Sequence, residues 1–181
     1  KPAMPSDMDE IIAATEGLKD EGYDDEVQVL KDAETALSNS IEQRRLVTAP
    51  SEAFVIERLQ GVEGVGEITA LTEESDQNRL LGKQGSYYAK IVFASPLVDQ
   101  SRVIGSNLAE RGIDAGGSIE VFETEEAAKK RCDYIATYDG TFMKAGTHAV
   151  IGTVLVRTSD ELTASQQKQL EANIIAALTR L

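Results

Sequence analysis

Apolar residues recur at two periods along this chain, and the switches between the periods divide it into elements. Met8, Ile11, Ile12, Thr15 and Leu18 fall at helical spacing behind a capping-box-like start at Ser6 and Asp9. EGYDD, residues 21–25, turns the chain, with Gly22 suited to a left-handed helix end. Leu30, Ala33, Leu37 and Ile41 then mark one face of a second helix. The two stripes predict a helical hairpin over residues 1–46. An apolar stripe ordinarily faces a core, so docking on the rest of the chain is expected, with a partner-binding arm as the alternative.

A different pattern follows. Pro50 and Glu52 suit the first turn of a helix whose Phe54, Val55 and Leu59 face inward. The glycines of GVEGVGE, residues 61–67, end that helix and release a strand in which Ile68, Ala70 and Thr72 alternate with Thr69 and Leu71. SYYAKIVFAS, residues 86–95, is a second strand, with Tyr87, Ala89, Ile91 and Phe93 on one face and Tyr88, Lys90, Val92 and Ala94 on the other. Val103, Ile104 and Leu108 suggest a helix stopped by Gly112, and SIEVF, residues 118–122, a short strand. Thr124 caps a helix with Ala128, Cys132 and Ile135 inward. HAVIGTVLVR, residues 148–157, is apolar on both faces and reads as one central strand. Thr163 and Gln166 form a capping box before a last helix that buries Leu170, Ile174, Ala177, Leu178 and Leu181.

This order predicts a two-layer α+β domain over residues 47–181, with a four-stranded mixed or antiparallel sheet packed by helices and its strand order open. Val92 beside Phe93, and Leu155 beside Val156, put apolar residues on both sides of the sheet. Such a sheet needs two covers, and the hairpin is expected to supply one of them.

Composition alters the picture through charge. A length of 181 residues suits one domain with an appendage, and 41% hydrophobic content is ordinary, but the net charge of −13 is not. Residues 1–46 hold twelve Asp and Glu against five Lys and Arg, and the remainder nineteen against thirteen. The hairpin thus carries over half of the net charge, which marks it as a separate segment. Such acidity argues against a nucleic-acid partner and disfavours anionic membrane surfaces. The one basic run, Lys129, Lys130 and Arg131, lies beside Glu125 and Glu126 and reads as a solvated helix face. No run approaches the roughly 20 apolar residues of a membrane span. The chain opens on Lys1, and KPAMPSD reads like a linker, so membrane attachment is expected only through an anchor upstream. Cys132 is the sole cysteine, which excludes an internal disulfide.

The chemical signals are few. EESDQNRLLGKQG, residues 73–85, alternates acids and amides. A helix-loop-helix calcium loop started at Glu74 finds Arg79 where glycine is required and Gly85 where a bidentate Glu is required. No metal site is expected; a looser calcium site would use Glu74, Asp76 and Asn78. Gly82 and Lys83 are followed by Gln84 and a strand, which fails the phosphate-loop pattern. GVEGVG, residues 61–66, has the wrong spacing and flanks for a dinucleotide fingerprint and is a turn. Ser165 and Lys168 match SxxK but lack the later elements such enzymes need. Cys132 and His148 are not placed together by any pattern, so a structural thiol is the better reading. The stretch at 73–85 is therefore a long hairpin loop suited to partner contact, with no catalytic residue, cofactor-binding residue or cofactor nominated anywhere.

Three stretches together, APSEAFVIERLQGVEGVGEI, DAGGSIEVFETEEAAKKRCDYI and GTVLVRTSDELTASQQKQLEANIIAAL, resemble a family of uncharacterised surface-protein and lipoprotein domains of Gram-positive gut bacteria, actinobacterial and clostridial. The resemblance covers roughly residues 48–180 and implies an extracytoplasmic, envelope-attached protein of unknown function. It brings no catalytic residues. The leading expectation is thus a non-catalytic, envelope-anchored domain that binds an unknown protein or envelope component. A hydrolase with an unidentified carboxylate-based site is the alternative, and a structural module that oligomerises through its N-terminal helices is a third reading.

Overall fold

The computed structural model describes residues 22–139 and 146–181. The first predicted helix, behind Ser6, lies outside the described residues. The chain divides into two compact units, residues 1–41 and 42–181.

Helix α1 runs Asp24–Leu46, with Asp24, Asp25 and Glu26 in its first turn and Arg44 and Arg45 in its last. Those charges complement the helix dipole at both ends. Its predicted stripe is not a core face: Leu30, Leu37 and Ile41 are all exposed.

The second unit is built on one antiparallel sheet of five strands: β1 (Ile68–Ala70), β2 (Tyr87–Ala94), β3 (Gly116–Phe122), β4 (His148–Ile151) and β5 (Val154–Thr158). They lie in the order β1-β2-β3-β5-β4. The α+β class and antiparallel pairing agree with the pattern in the sequence, while the expected strand count of four does not. The predicted single strand over 148–157 is a hairpin, β4 paired to β5 with Ile151 opposite Val154. Gly152 makes the turn at φ +58°, and a Cβ there would sit 2.2 Å from the Val47 carbonyl oxygen. The Thr153 amide donates to that oxygen at 2.9 Å, which ties the turn to the segment after α1.

Helices cover both faces, so there are three layers where two were expected. On one face α2 (Glu52–Leu59) and α5 (Ala164–Thr179) bring Val55, Leu59, Leu170, Ile174 and Leu178 onto Ala89, Ile91, Phe93, Ile119, Val154 and Val156. Each fully buried Val, Leu, Ile or Phe among these contributes roughly 1.5–3 kcal/mol over leaving it in water. Phe93 lies across Gly117, its register partner, where a Cβ would meet the ring at 2.3 Å. Helix α5 starts at the predicted Thr163–Gln166 capping box.

On the other face the cover comes from within residues 42–181. It is α4 (Glu125–Ala136), capped by Thr124 as predicted, the short α3 (Leu108–Arg111), and the loop between β1 and β2. Leu71, Leu81, Leu108, Ala128 and Ile135 pack there on Tyr87, Val92, Phe122 and Leu155. Two details depart from the sequence reading. Val103 and Ile104 lie outside any helix, Ile104 being exposed, because Asn107 caps α3 just before Leu108. The register of β2 against β3 shifts between Tyr87 and Ala89, which turns Tyr87 onto the α4 face instead of the Ala89 face.

Candidate functional site

Three neighbouring strands each carry one charged residue among apolar ones on the α4 face. Lys90 on β2 stands opposite Glu120 on β3, and Arg157 on β5 stands opposite Ser118, two residues along from Glu120. All three side chains are almost wholly covered, with Glu120 fully buried. A lone charge there would be expensive, so partners are required. Arg131 comes down from α4 and donates from Nε to Glu120 Oε2 at 3.0 Å. Lys90 Nζ and Arg157 Nη1 stand 3.9 and 3.7 Å from Glu120 Oε1, which accepts no hydrogen bond.

The remaining partner comes from the polar loop. Thr72 and Ser75 bond reciprocally and start a tight turn, and Arg79 takes φ +55°, so the loop curls around Asp76. One Asp76 oxygen accepts from Lys90 Nζ at 2.9 Å. The other accepts from the Tyr87 hydroxyl at 2.7 Å, the Leu80 amide at 2.9 Å and the Leu81 amide at 3.1 Å. Burial alone would raise this carboxyl; the Lys90 ammonium, the Tyr87 hydroxyl and the Leu80 amide outweigh it and hold the pKa at about 2, against 3.8 in the open chain. The Tyr87 phenol is pushed above its ordinary value, first by burial and then by the Asp76 carboxylate that it serves. The Asn78 amide is satisfied with its oxygen facing Lys90 Nζ at 3.0 Å and Arg131 Nη2 at 3.2 Å.

The two arginines differ. Burial lowers both guanidinium pKa values, but for Arg131 the bonded Glu120 carboxylate reverses the direction. Arg157 stays below its ordinary value. Its side chain is 13% exposed, it makes no hydrogen bond among the described residues, and its Nε is a buried donor without a partner.

Beside this network a cleft of about 750 Å³ opens between α4 and the β1–β2 loop. Lys83, Lys130, Arg131 and Arg157 line it, together with Asn78 and the aromatic rings of Phe122, Tyr134 and Tyr138. No Asp or Glu does. Tyr134 is half exposed, meets Tyr138 edge-on at 5.5 Å and lies 5.6 Å from the Arg131 guanidinium carbon.

The residues singled out in the sequence are distributed differently. Of Glu74, Asp76 and Asn78, only Asp76 is buried, and its lone pairs are occupied by protein donors, which leaves none turned outward for calcium. The described residues contain no group of three His, Cys, Asp or Glu able to hold a metal. The basic run is not a uniform solvated face: Lys129 pairs with Glu125 at 2.7 Å, Lys130 borders the cleft and Arg131 enters the core. Cys132 is half-buried, and burial followed by Asp133 pushes its thiol pKa up, away from the reactive thiolate. No hydrogen bond joins Cys132 to His148, whose Nε2 lies 3.6 Å from Asp139. Ser165 and Lys168 are exposed at the start of α5.

No helix among the described residues is long and apolar enough to cross a membrane. No protein-family model, curated protein or solved structure matches the chain.

Proposed function

We propose that this chain is a non-catalytic binding domain, displayed outside the cytoplasm and attached to the cell envelope, and that the cleft between α4 and the β1–β2 loop receives its ligand. The observation that carries the reading is the composition of that cleft. Fixed cations, amides and aromatic rings converge on about 750 Å³, within the range of small-molecule sites, with no nucleophile and base in contact among the described residues. The hydrolase alternative is weakened by the two buried carboxylates. Asp76 and Glu120 are held against cations behind the cleft, and Asp76 is kept ionised where a general acid needs a raised pKa. The envelope location rests on the family resemblance and the acidic charge.

Two measurements test this. Protease added to intact cells of the producing organism should remove the protein, whereas full protection would end the extracytoplasmic reading. In nuclear magnetic resonance spectra taken with neutral oligosaccharides, acidic oligosaccharides, peptides and small aromatic compounds, at least one class should shift signals of Lys83, Lys130 and Tyr134 and be left intact. Appearance of a hydrolysis product would make the protein an enzyme.

A further inference from the structure

We infer that the cleft takes a small organic anion, a carboxylate or phosphate group carried on a flat apolar body; this rests on the cleft being the binding site. In a chain of net charge −13, the four charged residues that line this cleft among the described residues are all cations. Asp76 and Glu120 behind it set two carboxylates against the three cations Lys90, Arg131 and Arg157, and neither pairs with Lys83 or Lys130. Lys83 and Lys130 have no ion-pair partner among the described residues. The local excess of positive charge therefore matches one or two negative charges on a ligand.

Arg157 supplies the second strand of the argument. A guanidinium presents five N–H donors in a fixed fork, and one this well covered normally has them satisfied. Here the nearest carboxylate oxygen is 3.7 Å away and Nε has no partner, although the side chain lines the cleft. Arg131 is different: with Nε on Glu120 and Nη2 on Asn78 it is already held in place, as a positioning and charge-bearing wall of the site. A carboxylate or phosphate oxygen would give the Arg157 fork the acceptors it lacks, in the bidentate manner for which arginine is suited. The flat body is read from the other wall. Tyr134 is half exposed, and its hydroxyl is 2.7 Å from that of Tyr138, which fixes the ring edge. With Phe122, Leu80 and Ile135 nearby, that ring offers a surface on which a planar group stacks.

The test titrates the full chain, by magnetic resonance and calorimetry, with phenyl phosphate and benzoate against benzamide, benzylamine and inorganic phosphate. Phenyl phosphate or benzoate should shift cleft signals and saturate, and which one binds tighter separates a phosphate from a carboxylate ligand. Benzamide, their neutral counterpart, and inorganic phosphate, which lacks the ring, should each bind at least about tenfold more weakly. The double variant Lys83→Glu with Lys130→Glu should lose about tenfold or more in phenyl phosphate affinity. Its fold should persist, because both side chains are exposed. Tyr134→Ala should weaken phenyl phosphate and leave inorganic phosphate unchanged. If benzamide or benzylamine occupies the cleft as tightly as the anions, the cleft remains a binding site and the anion inference falls. If no probe shifts any cleft signal at millimolar concentration, or shifts arise only elsewhere, the anion inference falls, and the cleft falls as a binding site when the oligosaccharides and peptides are silent there too.

Discussion

Asp76 accepts bonds from an ammonium, a phenol and three backbone amides, so its charge is part of the fold. Its pKa of about 2 in the folded chain, against 3.8 when open, means that folding favours the ionised form. The resulting stability is complete above about pH 4 and is lost as pH falls toward 2; a shift of that size corresponds to about 2 kcal/mol. Asp76→Asn should cost about 3–5 kcal/mol at neutral pH, because the one carboxylate left to Lys90 would be Glu120 at 3.9 Å. The gap to the natural chain should narrow between about pH 4 and pH 2, where the natural carboxylate is itself protonated. Urea unfolding at both ends of that window checks this. A gap of equal size at both would show that shape, not charge, is what the variant loses. Adding Lys90→Met to Asp76→Asn should cost less than the two single changes together, by about 1 kcal/mol or more, since the pair then leaves no orphan charge.

Elements respond differently, and the hairpin β4–β5 is the clearest case. Gly152→Ala meets two penalties at once, a left-handed φ of +58° and a Cβ driven to 2.2 Å from the Val47 oxygen. Gly85, at φ +74° with nothing within 4 Å, carries only the first. Gly85→Ala should therefore cost about 1 kcal/mol and Gly152→Ala at least twice that, with the melting temperature falling accordingly. Equal shifts for both variants would mean that the Val47 segment yields freely. This turn was invisible in HAVIGTVLVR because the residues on either side of it, Ala149–Ile151 and Val154–Val156, are apolar without alternation, so no pattern breaks or restarts at Gly152 and Thr153. The same limit hid the polar core. Lys90, Glu120 and Arg157 each interrupt an apolar run, and each could have been flagged as a charge on a strand. Pattern alone put Lys90 on one face with Tyr88, Val92 and Ala94, because alternation separates two faces without saying which charges on them find buried partners. Asp76 left no such mark, since its burial depends on a turn folding back over β2. Capping signals fared well, with Thr124 and the Thr163–Gln166 box acting as predicted, because they depend only on residues within one turn.

Over the whole molecule, two electrostatic effects of opposite sense act on one chain. Net charge of −13 makes like charges repel across the surface, and that repulsion is longest in range at low ionic strength, where the screening length is about 30 Å at 0.01 M salt. At about 0.15 M it shrinks to about 8 Å, so adding salt should raise the melting temperature by relieving the repulsion. Favourable surface pairs such as Lys129–Glu125 are screened too, but isolated exposed pairs contribute about 0–1 kcal/mol each. The Asp76–Lys90 pair lies under cover and should be nearly indifferent. The cleft should move the other way, because Lys83 and Lys130 stand in solvent and attract an anion through that same screened field. Salt is thus expected to stabilise the fold and to weaken phenyl phosphate binding several-fold over the same range. Melting curves and titrations made in one series of buffers read both signs together. A melting temperature that falls with salt would mean that surface pairing outweighs the net repulsion. Binding that ignores salt while the fold responds would place the affinity in the Tyr134 ring contact and not in the cations.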